Sequence, residues 1–113
     1  MQIINSSNQK IVADKAKIAN NLITRIIGLL YRSNLNKGEG LLITPCNGIH
    51  SFGMRFNFDA VFLDKNNKVQ HLIKNMSPWR TSPIIKSAHS TLELPSGIID
   101  EAEIKTGDIL QFI

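Results

Sequence analysis

The fifteen residues His50-Ser51-Phe52-Gly53-Met54-Arg55-Phe56-Asn57-Phe58-Asp59-Ala60-Val61-Phe62-Leu63-Asp64 decide how this chain is read. His50, Phe52, Met54, Phe56, Phe58, Ala60 and Phe62 share one parity, while Ser51, Gly53, Arg55, Asn57 and Asp59 share the other. Side chains on a strand alternate between faces, so a period of two with one apolar set reads as β-structure laid on a core. Ser51–Met54 and Phe58–Leu63 are expected as two strands joined around Asn57.

Working outward, the β signal recurs on both sides. Asp64-Lys65-Asn66-Asn67-Lys68 is a hairpin turn into a strand from Val69 to Ile73, and Ser77-Pro78-Trp79-Arg80-Thr81-Ser82-Pro83 is a loop. Ser90–Leu94 is a strand ended by Pro95-Ser96-Gly97, and Ile109–Ile113 closes the chain after Thr106-Gly107-Asp108. Upstream, Leu41–Thr44 is a short strand halted by Pro45, preceded by the turn Lys37-Gly38-Glu39-Gly40. At the start lie Ile3-Ile4 and a run from Lys10 to Ala19, in which Val12, Ala16 and Ile18 share a parity. One segment breaks the pattern. From Asn21 to about Tyr31, with Asn20 as N-cap, Leu22, Ile26, Leu29 and Leu30 fall at i, i+4, i+7 and i+8, which predicts a helix. Many short strands and one early helix point to a mainly β single domain spanning 1–113. The expected architecture is a compact β-sandwich, jelly-roll-like or barrel-like, with the helix near residues 21–31 packed on it.

Composition agrees. The chain has 113 residues, 42% hydrophobic and 19% charged, which suits one globular core rather than disorder. The longest apolar stretch, Ile26–Tyr31, is far short of the ~20 residues of a membrane span. The first residues show no basic segment leading into an apolar one, so no membrane association is expected and the location is read as cytoplasmic. The single cysteine, Cys46, excludes an internal disulfide. The net charge of +4 is spread along the chain, with 13 basic residues against 9 acidic and an acidic cluster at Asp100-Glu101-Ala102-Glu103. Nucleic-acid binders concentrate their charge, so no nucleic-acid partner is expected.

Two groups of residues could carry chemistry. In the expected helix, Arg25 and Arg32 are seven apart and fall within about 20° of each other, with Gly28 between them. Glycine inside a helix costs roughly 1 kcal/mol against alanine. It therefore reads either as a notch between two guanidiniums or as a point of close backbone approach. In the central stretch, Arg55 and Asp59 are about 13 Å apart if both lie on one strand. A turn at Asn57 could bring them together, or Asp59 could meet Arg25. Either way Asp59 is the expected counter-ion, since an unpaired carboxylate beside so apolar a strand is costly. Cys46 and His50 suggest a nucleophile and base, but no local nucleophile signature surrounds the cysteine. His50, His71, His89 and Cys46 lack paired-ligand spacing, so no metal and no cofactor is expected. Trp79-Arg80 reads as an exposed recognition element or as a plug over the core edge.

Four ordered motifs resemble the DUF192 (UPF0127) family. They are Arg25-x-x-Gly28-Leu29-Leu30-x-Arg32 followed by Gly40-Leu41-Leu42-Ile43; the central stretch from His50 to Asp64; Leu92-Glu93-Leu94-Pro95-Ser96-Gly97; and Gly107-Asp108. The similarity runs from about residue 9 to 113. The chain departs from many members in having Leu30 in place of methionine and Gly53-Met54 in place of a tryptophan–methionine pair. It is identified as a histidine-bearing variant, with His50 ahead of Phe52. The resemblance implies a compact β-rich, jelly-roll-like domain with one helix packed on it, and it implies no reaction.

The residues then predict a non-catalytic binding domain with a polar site of Arg25, Arg32, His50, Arg55 and Asp59 for a small anion or a carboxylate-bearing ligand. One alternative is a hydrolase or transferase with His50 as base and Arg25 and Arg55 steadying negative charge. Another is a structural adaptor that binds a protein partner through Trp79, with Arg25–Asp59 as an internal ion pair.

Overall fold

In the computed structural model, which describes residues 1–30 and 32–113, the run Phe58–Leu63 is a strand buried on both faces. The elements in chain order are β1 (Ile3–Asn5), β2 (Lys10–Ala13), β3 (Lys15–Ala19), α1 (Leu22–Ile27), β4 (Glu39–Ile43), β5 (Phe58–Leu63), β6 (Val69–Met76), β7 (Ser90–Pro95), α2 (Ile98–Glu101) and β8 (Leu110–Phe112). The strands form two sheets, one ordered β2-β1-β8 and the other β3-β4-β7-β5-β6. Every pairing is antiparallel except β3 with β4. The larger sheet ends at β3 and β6, so of the expected architectures the open two-sheet sandwich is the one present and no barrel closes. The Cα radius of gyration is 12.5 Å, close to the roughly 13 Å of a compact chain this long. No helix among the described residues is long and apolar enough to cross a membrane.

The alternation in β5 is real, and both of its parities are buried. Val61 and Leu63 join Leu92 and Leu94 of β7 against the smaller sheet and α2, in a core that includes Ile3, Val12, Ile99 and Leu110. Phe58, Ala60 and Phe62 face the other way, into a second core with Leu29, Met54 and Met76. The five-stranded sheet is thus a middle layer. Its outer face is covered by the chain around α1 and by the loops, and these build the candidate site.

Three expected elements differ. Ser51–Met54 is a turn rather than a strand: Met54 N–H donates to Ser51 C=O at 3.1 Å, and Gly53 takes φ +80°, which an L side chain rarely adopts. The alternation there is therefore broken, with Phe52 exposed and Met54 buried. The run Lys10–Ala19 divides at Asp14, where two successive N–H groups, of Asp14 and Lys15, donate to Gly38 C=O at 2.9 Å. β2 stays in the small sheet and β3 joins the large one, so Val12 and Ala16 are buried and Ile18, on an edge strand, is exposed.

The helix is shorter than expected. Asn21, not Asn20, is its N-cap, in a capping box with Thr24, and Gly28 is the C-cap with φ +50° and ψ −123°. That is the first corner of a type II′ turn, closed by Leu30 N–H donating to Ile27 C=O at 2.8 Å. Gly28 thus ends the helix instead of sitting inside it. With fewer than two turns the apolar arc cannot form: Ile23 and Ile26 are 68% and 67% exposed, and Leu29, beyond the helix, is the buried anchor. Tyr31 and the Leu22 side chain, both in the expected helical pattern, lie outside the described residues.

Candidate functional site

The turn that ends α1 faces the loop after β4, and a cleft of about 600 Å³ opens between them. Arg25 and Ile26 form one wall, Cys46, Asn47 and His50 the other, and Ala88 and His89 complete it. Pro45, joined to Thr44 by a cis peptide, ends β4 as expected and begins the second wall. Cys46 is half-buried; its N–H donates to His89 C=O at 2.8 Å and its thiol to Gly48 C=O at 3.2 Å.

His50 is held by its backbone and its ring. It makes an isolated bridge with Thr81, and the N–H of Phe52 donates to its Nδ1 at 3.2 Å. With Nδ1 an acceptor, the neutral ring carries its proton on Nε2 and presents a donor. Buried Ser51 locks the neighbouring loop: its hydroxyl donates to Ser77 C=O at 2.6 Å and accepts Arg80 N–H at 2.9 Å. This fixes Trp79, 69% exposed, against the Phe52 ring with centroids 6.0 Å apart. Trp79 is therefore an exposed aromatic stacked on Phe52 and not a plug over the core.

Beneath the cleft lies a smaller chamber of about 100 Å³, whose floor holds a residue that the sequence reading passed over. Arg25, Ile26, Ile43, Cys46, Gly48 and His50 line both spaces. Glu93 lines only the inner one. It stands in the middle of β7, directly between Leu41 of β4 and Ala60 of β5, and is 4% exposed. Its carboxyl has no ion-pair or hydrogen-bond partner among the described residues. Burial alone pushes it up to about 8 from 4.5, so at neutral pH it is mostly the uncharged acid. A Cβ added at Gly28 would lie 3.8 Å from Glu93 Oε1 and 3.9 Å from Ile43 Cδ1. Hence Gly28 forms part of the chamber roof, and side chains rather than a close backbone lie across from it. In sequence, Glu93 is the polar position of an alternating Leu-Glu-Leu and reads as exposed; only the covering of the sheet's second face buries it.

Of the five residues expected at one site, Arg25 and His50 come together and the other three are elsewhere. Arg32 Nη2 lies 2.9 Å from both Glu39 carboxylate oxygens, and with the Asn36 N–H it holds Glu39 below its usual value. Because the helix stops at Ile27, Arg32 is not aligned above Arg25. Arg55 is exposed and lines neither space.

Asp59 is not the counter-ion of the arginines, either in a site or in a buried pair with Arg25. It points to the opposite face of the sheet, 1% exposed. Its Oδ1 accepts Asn75 N–H at 2.8 Å, and its Oδ2 accepts Gly97 and Ile99 N–H at 3.1 and 2.9 Å. Gly97, the N-cap of α2, has no side chain to offer, so Asp59 caps that helix from a neighbouring strand. Nor do Cys46, His50 and His89, although all in the cleft, form a ligand set: among the described residues no three His, Cys, Asp or Glu group as a metal site. His71 lies elsewhere, with its ring edge-on to Phe62.

Known proteins share this framework. A crystal structure of a protein of unknown function from Novosphingobium aromaticivorans superposes with a TM-score of 0.84 over 98% of this chain and 82% of its own, at 19% identity. A UPF0127 protein from Thermococcus sibiricus is 32% identical over 94% of this chain and 71% of its own length. A UPF0127 protein from Pyrococcus furiosus is 30% identical over 97% of both. The profile of DUF192, described as "Uncharacterized ACR", matches residues 3–112. The chain belongs to the DUF192 family.

Proposed function

We propose that this domain binds an organic anion, with the ligand's carboxylate held in the cleft by Arg25 and the Nε2–H of His50. The observation that carries the reading is a guanidinium and an imidazole donor lining one cleft, neither paired with an acid among the described residues. A carboxylate suits a planar guanidinium with a second donor beside it. Exposed Ile26, which lines the cleft, and exposed Phe52, which lines the chamber, favour an organic anion over inorganic phosphate, since they offer area to an apolar body. His50 as general base fits less well. The lone pair on Nδ1 is already engaged, and the other nitrogen bears the proton.

The test is thermal unfolding of the full chain with phosphate, carboxylate metabolites and divalent metals. A ligand at 100 times its Kd adds about 2.7 kcal/mol, which raises the midpoint by about 10 °C for a domain this size. A carboxylate shift abolished by Arg25→Ala is the expected result. A shift that survives Arg25→Ala sinks the reading. Silence across the panel would favour a second reading, docking of a protein partner on Ile23, Ile26, Phe52, Trp79 and Ile84, all exposed.

A further inference from the structure

Glu93 is an expensive residue in its position. A carboxylic acid without a partner in an apolar enclosure costs folding energy that an isosteric leucine would not. The neighbouring inward positions on the same face of the sheet, Leu41 and Ala60, are apolar. The acid is not used to hold the fold: among the described residues nothing hydrogen-bonds to it, in contrast to Asp59, which accepts three backbone amides. Its side chain nevertheless borders a space, for Glu93 lines the chamber that shares Arg25 and His50 with the cleft. An acid with no partner among the described residues, 4% exposed and lining a space that Arg25 and His50 also border, is the arrangement of a ligand contact awaiting its ligand.

We propose that Glu93 is the inner anchor of the ligand site, and that the ligand is an organic carboxylate whose short apolar stem ends in an uncharged hydroxyl hydrogen-bonded by the Glu93 carboxyl. The proposal rests on the anion-binding reading of the cleft and names the class of molecule it takes. The walls of the chamber, among them Ile27, Leu29, Ile49 and Met54, suit a hydrocarbon stem. Its volume of about 100 Å³ holds roughly three to four heavy atoms, taking about 30 Å³ for each water-sized group. A protonated carboxyl offers one donor and one acceptor, which a hydroxyl can satisfy together. A cationic tail is disfavoured by Arg25, which borders both spaces and stands on the way in.

The test uses three four-carbon acids, 4-hydroxybutanoate, butanoate and 4-aminobutanoate, titrated calorimetrically at pH 7 into wild type, Glu93→Gln, Glu93→Leu and Arg25→Ala. The expected result is that wild type prefers 4-hydroxybutanoate to butanoate by at least tenfold. The preference should persist in Glu93→Gln, whose amide also donates and accepts, and vanish in Glu93→Leu, while Arg25→Ala weakens every acid. Equal binding of butanoate and 4-hydroxybutanoate, still dependent on Arg25, would overturn the role of Glu93 and leave the anion site standing. Preference for 4-aminobutanoate would overturn the uncharged tail, making Glu93 an ionised partner. No binding of any acid to wild type would overturn both. Unfolding curves of the Glu93 variants establish that each is folded before its affinities are compared.

Discussion

Replacing Glu93 with glutamine should remove a pH dependence of stability that the wild-type chain carries. The carboxyl titrates at about 8 in the folded protein against 4.5 for the ordinary group, because burial disfavours its charged form. Between those values the native chain holds a proton that the unfolded chain has released. The slope of unfolding free energy with pH follows protons bound unfolded minus protons bound native, so here it is negative. The contribution is fully present below about pH 4.5 and is lost as pH rises through about 8. The loss approaches tenfold in the folding equilibrium constant per pH unit, on the order of 5 kcal/mol across the window. That is a large share of the 5–15 kcal/mol typical of a whole domain. Among the described residues, the other titratable or charged groups around the chamber are Arg25, Cys46 and His50, which both variants contain. Their titration therefore largely cancels in the difference. Urea unfolding of wild type and Glu93→Gln at pH 5, 6, 7, 8 and 9 measures it. The stability of wild type relative to Glu93→Gln should fall steadily from pH 5 and level off above about 8. A difference that stays constant over this range would refute the reasoning, because Glu93 would then be ionised at neutral pH and could not act as an uncharged donor.

Two further substitutions probe the scaffold. Asp59→Ala leaves three backbone N–H groups, of Asn75, Gly97 and Ile99, without their acceptor and should cost about 3–5 kcal/mol at pH 7, read by denaturant unfolding; a cost below about 1 kcal/mol would show that α2 does not depend on this cap. Gly28→Ala forces an L side chain to φ +50°, ψ −123° and should cost about 1–3 kcal/mol. The new methyl would touch Glu93 and Ile43 at ordinary contact distance, so loss of stability from strain alone is expected, without the larger penalty of a clash.

The sequence alone determined most of the strand pattern, though not the turn at Ser51–Met54 or the early end of the helix at Ile27. Phe58–Leu63, Val69 onward, Ser90–Leu94 and the closing strand were legible because a period of two bounded by Gly, Pro, Asn and Asp has few other readings. The β-sandwich class and the family followed from those strands and from the order of the motifs. Arg25 and His50 were also legible, as charged or titratable side chains at the edges of apolar segments. Only the tertiary structure decided which of these side chains share a space. Sequence spacing set Arg32 beside Arg25, but Gly28 turns the chain after Ile27 and sends Arg32 to Glu39. Asp59 and Glu93 look alike in sequence, each an acid inside a hydrophobic strand. Asp59 faces the core between the sheets, where the backbone of α2 supplies donors, while Glu93 faces the other core, where the described residues supply none. Alternation specifies that two residues point to opposite faces of a sheet. What covers each face is set by chain brought from far along the sequence, and that covering makes one acid a structural cap and leaves the other lining a chamber under the cleft.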